Sequence, residues 1–129
     1  MVERKISVLL AEDDTFLADI YKKKFEMEGM KVNVCDNGEK CLTEAQKKKP
    51  DIIILDILLP KLDGFTALER LKKNPDTKAI PVLLLTNLGQ KEDVDRCMKL
   101  GAVGYVIKAH SLPQETVNRV KTILGHANV

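Results

Sequence analysis

Tryptophan is absent from this sequence, and aromatic residues make up only 4% of it. A surface so poor in flat rings has no platform on which successive nucleotide bases could stack. An excess of one charge is missing too. The chain carries 21 basic against 19 acidic side chains, a formal net charge of +2, which gives no bias toward nucleic acid or a membrane surface. No helix with a basic recognition face is evident either, so no direct nucleic-acid contact is expected. Apolar runs such as Ile52 to Leu55 fall far short of the ~18 residues of a membrane-spanning helix, and the N-terminus lacks a signal-peptide core. No membrane insertion and a cytoplasmic location are therefore expected. Cysteine is scarce: Cys35, Cys41 and Cys97 form no C-x-x-C pair and are odd in number, which reads as unpaired small apolar residues in a reducing compartment. There is no G-x-x-x-x-G-K-[ST] loop and no G-x-G-x-x-G after the first strand, which removes P-loop nucleotidases and dinucleotide enzymes.

What is present is an ordinary globular composition, 44% hydrophobic and 31% charged over 129 residues. That length suits one domain, residues 1–129, with a sizeable core and no linker, repeat or low-complexity tract. The organising stretch is Asp51-Ile-Ile-Ile-Leu-Asp56, followed by Pro60 and Asp63-Gly64. Its apolar run reads as a strand buried on both faces, the parallel-sheet kind, and the Pro and Asp-Gly signals mark the loop after it. Asp56 thus falls at the carboxyl end of a central strand.

The rest of the chain follows the same alternation. Ile6–Ala11 is a buried strand ending in Glu12, Asp13 and Asp14, with a helix after it carrying Leu17, Ile20, Tyr21 and Phe25 and ending at Gly29. Asp14 reads as an acid at that helix start. Val32–Cys35 is a short strand, Asp36-Asn-Gly38 a turn, and a second helix runs to about Lys49 before Pro50. The Lys22–Lys24 run is a solvated face, and Lys47–Lys49 complements a helix C-terminus. Phe65, Leu68 and Leu71 mark a third helix that stops near Asn74-Pro75. Ile80–Leu85 is a strand delivering Thr86-Asn87. Gly89 opens a fourth helix with Val94, Cys97, Met98 and Leu100, in which Met98 packs, as Cys41 does in the second helix. Tyr105–Ile107 is a last strand delivering Lys108, and Pro113 opens a final helix carrying Val117, Val120 and Leu124 and ending at Gly125. Five strands alternating with five helices predict an α/β fold with a parallel sheet covered on both faces.

Strand carboxyl ends share one edge of a parallel sheet, so Glu12, Asp13, Asp56, Thr86 and Lys108 converge there. Carboxylates so close raise one another's pKa unless a cation joins them, and Lys108 or a hard divalent metal such as Mg²⁺ would serve. Mg²⁺, a hydroxyl and an ammonium beside a carboxylate suit a phosphoryl group, and the carboxylate can itself be the nucleophile. Singly, each residue has a plainer reading: Asp56 as a helix-capping acid, Thr86 as a turn hydroxyl, Lys108 as a surface lysine, Tyr105 as a half-buried core aromatic. His110 and His126 lack ligand spacing and read as solvated.

Taken in order, the set resembles the receiver domains of two-component response regulators in their stand-alone, chemotaxis-type form. It comprises Glu12-Asp13, Asp56 with Pro60 four residues on, Asp63-Gly64, Thr86, Tyr105 and Lys108. The resemblance covers essentially the whole chain. It implies a flavodoxin-like (βα)5 three-layer sandwich with parallel strand order 2-1-3-4-5. It implies that Asp56 accepts a phosphoryl group from a phosphohistidine on a sensor histidine kinase or histidine phosphotransfer protein. Asp13 and Asp56 would bind Mg²⁺, with Glu12 through water and the backbone carbonyl of Leu58. Lys108 would pair with the phosphoryl group, and Thr86 and Tyr105 would act as the switch. The switched surface, formed by the fourth helix, fifth strand and fifth helix, would bind a downstream target protein. The state would be a monomer or a phosphorylation-dependent dimer. The chain would catalyse only its own phosphorylation and dephosphorylation and would not be an enzyme acting on an external substrate.

Three departures from the family pattern stand out. Ala109 replaces the usual Pro after the lysine, and a cis bond there would cost about 2.5–4 kcal/mol. Asn87 is larger than the usual Ala or Gly and narrows access to Asp56. Leu58 and Leu88 flank the acceptor and cannot orient an attacking water, which predicts a long-lived aspartyl phosphate. Leu58 also stands where an aspartyl-nucleophile phosphatase would place a second acid, which argues against that class. Alternatives to the switched regulator are a phosphorelay intermediate passing phosphate to a histidine phosphotransfer protein and a non-phosphorylated interaction module.

Overall fold

The computed structural model describes residues 5–87, 91–108 and 111–125. The elements are β1 (Ser7–Ala11), α1 (Thr15–Met27), β2 (Lys31–Cys35), α2 (Gly38–Lys48), β3 (Ile52–Leu55), α3 (Gly64–Lys73), β4 (Val82–Thr86), α4 (Lys91–Lys99), β5 (Gly104–Ile107) and α5 (Pro113–Ile123). The five strands form one parallel sheet in the order β2-β1-β3-β4-β5. That is the expected three-layer α/β architecture. The chain winds outward from β1 to β2, then from β3 to β4 and β5. The strand order therefore reverses between β1 and β3, which leaves a crevice at their carboxyl ends.

The period of two along each strand divides the core. Ile53 and Leu55 of β3 pack with Cys41 and Ala45 of α2, Ala67, Leu68 and Leu71 of α3, and Cys97 of α4. Ile52 and Ile54 face the other way, onto Ala18, Tyr21 and Phe25 of α1 and Val117 and Val120 of α5. All four β3 residues are fully buried, which is why the run shows no polar alternation. Burying each such side chain contributes about 1.5–3 kcal/mol before entropy is counted.

Helix ends follow local chemistry. The Asp14 carboxylate accepts the Leu17 N–H at 3.0 Å, Asn37 accepts that of Lys40 at 2.9 Å, and Asp63 accepts that of Thr66 at 2.9 Å. Pro113 opens α5 at its first turn. Two expectations need correction. Leu100 lies one residue beyond α4: its N–H still makes a helical bond back to Arg96, and the chain turns away at Gly101, which has a positive φ of 112°; the expected start at Gly89 lies outside the described residues. Met98 does not pack inward: it is 40% exposed, and Val94 and Cys97 form the buried side of α4. No described helix is long and apolar enough to cross a membrane.

Candidate functional site

Three consecutive acids leave β1, and each meets a different fate. The Glu12 N–H donates to the Cys35 carbonyl at 3.0 Å, which extends the β1–β2 ladder by one residue and turns the Glu12 side chain inward, 2% exposed. Asp13 is exposed. Asp14 caps α1 and donates its own N–H to Glu12 Oε2 at 3.1 Å. Next door, Asp56 continues β3: its N–H donates to the Ala11 carbonyl at 3.1 Å, and its residue is 6% exposed. Because β1 and β3 are adjacent, Glu12, Asp13 and Asp56 offer carboxylate oxygens that all lie within 4.8 Å of one another.

Lys108, the residue after β5, reaches across the crevice. Its ammonium donates to Asp56 Oδ2 at 2.7 Å and also to Glu12 Oε1. These contacts join residues 52 and 96 positions apart, so only the sheet brings them together. Asp56 Oδ1 accepts the Leu58 N–H at 3.1 Å, which orients the carboxylate from its own loop. Leu58 itself projects outward, 60% exposed.

The electrostatics follow from burial. Desolvation raises the Glu12 pKa above the ordinary glutamate value, against the opposing hydrogen bonds from Lys108 and the Asp14 N–H. For Lys108, burial would lower the pKa, but its hydrogen bonds and attraction to Asp56 and Glu12 together outweigh burial and raise it. Lys108 thus stays an ammonium at neutral pH. One ammonium cannot balance three carboxylates. An all-oxygen donor set with one exposed member and an unmatched negative charge fits a hard divalent cation of the Mg²⁺ kind.

A glycine closes the acceptor loop. The Gly64 N–H donates to the Ile57 carbonyl at 2.8 Å, and a Cβ at Gly64 would stand 2.5 Å from Ile57 Cα and 2.6 Å from the Asp56 carbonyl oxygen. Gly38 makes a similar approach, with a built Cβ 2.0 Å from the Leu62 carbonyl oxygen, so α2 starts hard against the same loop. Sequence reading marked Asp63-Gly64 and Asp36-Asn-Gly38 as turns and missed these contacts. The local signal is a glycine directly after a capping side chain, Asp63 in one case and Asn37 in the other.

The remaining expected residues fall at different distances from the centre. Thr86 ends β4 fully buried, in register with Ile107, the residue before Lys108. Tyr105 lies outside the acid cluster: it sits on the edge strand β5, 41% exposed, lining a surface cleft with Arg119 of α5. Asn87 follows Thr86 and is exposed. Leu88, Ala109, His110 and His126 lie outside the described residues. Of the cysteines, Cys35 and Cys41 meet: hydrogen bonding to Cys35 and burial push the Cys41 thiol well above its ordinary pKa. Burial pushes Cys97, on α4, up to about 11.

Comparison with known proteins agrees with this geometry. The family model for the response regulator receiver domain matches residues 8–121. The DNA-binding dual master transcriptional regulator RpaA of Synechocystis is 38% identical over 117 residues, 91% of this chain and 48% of that protein. The phosphate regulon transcriptional regulatory protein PhoB of Rhizobium meliloti is 32% identical over 93% of this chain and 52% of its own length. The chain thus spans about half the length of these curated relatives. They are regulators of transcription by name, and the expectation of no direct nucleic-acid contact gains no support from them. A putative response regulator from Chloroflexus aurantiacus superposes with a TM-score of 0.88 at 34% identity, covering 95% of this chain and 99% of that one. The receiver domain of a Pseudomonas aeruginosa sensor histidine kinase, solved with a magnesium ion in its active-site cleft, shares the fold at a TM-score of 0.86 and 22% identity, over 95% of this chain and 99% of its own. With the acid crevice in place at the switch of strand order, this chain belongs to the response regulator receiver domain family.

Proposed function

We propose that the chain, as a single receiver unit over residues 1–129, is the phosphoacceptor of a two-component pair. Asp56 is the acceptor. The donor is a phosphohistidine on a sensor kinase or histidine phosphotransfer protein. The observation that carries this reading is the Lys108 ammonium bonded to both Asp56 and Glu12 at the mouth of the β1–β3 crevice. An Asp56 oxygen attacks phosphorus, the P–N bond to the donor imidazole breaks, and an acyl phosphate forms on Asp56. Lys108 leaves the Asp56 carboxylate and pairs with the phosphoryl oxygens, while the Thr86 hydroxyl donates to one of them. Asp13, Asp56 and the Leu58 carbonyl, with Glu12 through water, would hold Mg²⁺, which when bound supplies positive charge for the phosphoryl oxygens. The chemistry ends on the protein itself, so the chain is a switch rather than an enzyme with an external substrate.

The reading extends to output and lifetime. Phosphorylation shifts Thr86 and Tyr105, and with them the α4–β5–α5 face that a target protein recognises, as a population shift between two surface states. The names of the relatives support an output on transcription, through an attached or a separate partner; the reading places the chain in the cytoplasm. Leu58, apolar and exposed beside Asp56, offers no hydrogen bond to an attacking water, so the acyl phosphate is long-lived.

The test is intact mass after incubation with acetyl phosphate and Mg²⁺, for the wild type and for Asp56→Ala. One phosphoryl group gained by the wild type and absent from the variant is the expected result. No gain in either protein, together with no Mg²⁺ binding, overturns the reading in favour of a non-phosphorylated interaction module. Decay of the adduct within seconds overturns the long lifetime alone, and transfer onward to a histidine would make the chain a relay intermediate.

A further inference from the structure

Arg96 of α4 takes no part in the phosphoacceptor chemistry, yet its guanidinium carbon stands over the Phe65 ring of α3, 4.3 Å from the ring centre. That is a cation–π contact between two helices. Phe65 is tied to the acceptor through its neighbours. It follows Gly64, whose N–H donates to the Ile57 carbonyl and whose missing Cβ leaves room for the Asp56 carbonyl oxygen and the Ile57 backbone. It also lies in the turn that Asp63 caps through the Thr66 N–H. The first turn of α3 is therefore one unit with the backbone of Asp56. Phe65, half-buried against the cluster that α2, α3 and α4 share, is the side chain of that unit on which Arg96 rests. Acids near the ring share the same cation. The Thr66 N–H chiefly, with the Arg96 charge adding to it, holds the Asp63 carboxyl below the ordinary carboxylate range, and Lys73 chiefly, again with Arg96, does the same for Glu69.

The buried side of α4, among the described residues, is Val94 and Cys97, so a contact from its flank bears on how the helix sits. We propose that Arg96 is a positioning residue that, through Phe65, ties α4 to the acceptor loop, so that the state of Asp56 sets the state of α4. The tie is made in the unphosphorylated arrangement. A phosphoryl group on Asp56 shifts the loop, the first turn of α3 moves with it, and the ring slides from under the guanidinium. α4 is then freed to repopulate its outer surface. The signal rests on the phosphoacceptor reading; the contact between the two helices does not.

The test is amide hydrogen exchange of the whole chain, followed over α4 by mass spectrometry with α1 as the internal reference. In the unphosphorylated protein Arg96→Met and Phe65→Leu should each speed α4 exchange by about two- to fivefold, the scale of an exposed cation–π contact. The double variant should go no further than either single one. Arg96→Lys, which keeps a cation over the ring, should stay closer to the wild type. After acetyl phosphate and Mg²⁺ the wild type should speed up over α4, and Arg96→Met, whose tie is already broken, should change less. Equal α4 exchange in the wild type and Arg96→Met overturns the proposal. So do effects that multiply in the double variant, or a phosphorylation-dependent change of the same size with and without Arg96. If intact mass shows no phosphoryl group on the wild type, the phosphoacceptor reading fails and the signalling role of Arg96 fails with it, while the non-additive double variant still establishes the contact.

Discussion

At the carboxyl ends of β1 and β3 two carboxylates, Glu12 and Asp56, are buried, while along β5, the turn before it and the outer side of α4 apolar side chains are exposed. Glu12 and Asp56 are nearly inaccessible and locked to Lys108; Met98, Val103 and Tyr105 are all 40% exposed or more. Each region inverts the usual placement, and for different reasons. Buried charges survive only when paired, so the crevice is held in one arrangement by a few strong contacts. Exposed apolar side chains have few neighbours to lose, so the β5–α4 side can change its surface at small cost. The proposed switch would use both: a site that senses one phosphoryl group and a face that can be repopulated.

Substitutions can break this contrast, and the largest effect should come from Lys108→Met. It strands two buried carboxylates and should lower the stability of the Mg²⁺-free protein by about 3 kcal/mol, the usual scale for breaking a buried pair. Urea unfolding would measure it, with partial recovery expected on adding Mg²⁺; an unchanged midpoint would mean that the ammonium is not needed to hold the crevice. Gly64→Ala comes next. Its Cβ would press on the backbone of Asp56 and Ile57, which should cost about 1–3 kcal/mol by overpacking and displace the acceptor. The same urea experiment checks the stability, and phosphorylation from acetyl phosphate checks the displacement.

A pH series sharpens the comparison further. Burial raises the Glu12 pKa in the folded protein, so the native state binds that proton more tightly than the unfolded chain does. This contribution is fully present below the ordinary value of 4.5 and is lost as the pH rises through the higher folded value. Glu12→Gln should flatten that slope in Mg²⁺-free unfolding curves, and an identical slope in both proteins would remove Glu12 as its source. The smallest effect should come from Tyr105→Ala. With its ring on the edge strand and partly in solvent, its removal should cost well under 1 kcal/mol beyond lost strand propensity. A loss of several kcal/mol in thermal or urea unfolding would show that Tyr105 is part of the core after all.

Much of this was legible along the chain. The all-apolar run Ile52–Leu55 declared a strand covered on both faces, and its position in a strand–helix alternation declared a parallel sheet. The acids after β1 and β3 and the lysine after β5 could be assigned to one edge, because parallel strands all end there. Met98 turns outward because the buried side of α4, among the described residues, is formed by Val94 and Cys97 and does not extend to it. Helical spacing alone does not say where that side stops.

The sequence by itself determined which residues could meet: the strand–helix alternation implied parallel strands, which restricted Glu12, Asp13, Asp56, Thr86 and Lys108 to a single edge. Only the tertiary structure decided which of them do meet and how. Glu12 turned inward while Asp13 stayed exposed, Lys108 chose two carboxylates at once, and Tyr105 stayed outside. It also decided that Gly64 and Gly38 carry no side chain because backbone from the acceptor loop occupies the space, and that Cys35 and Cys41 touch while Cys97 stands apart. The physical reason is the same throughout. Hydrophobic periodicity is a one-dimensional property that fixes elements and faces, whereas charge pairing, close backbone approach and thiol contact depend on distances between segments that the sequence separates by tens of residues.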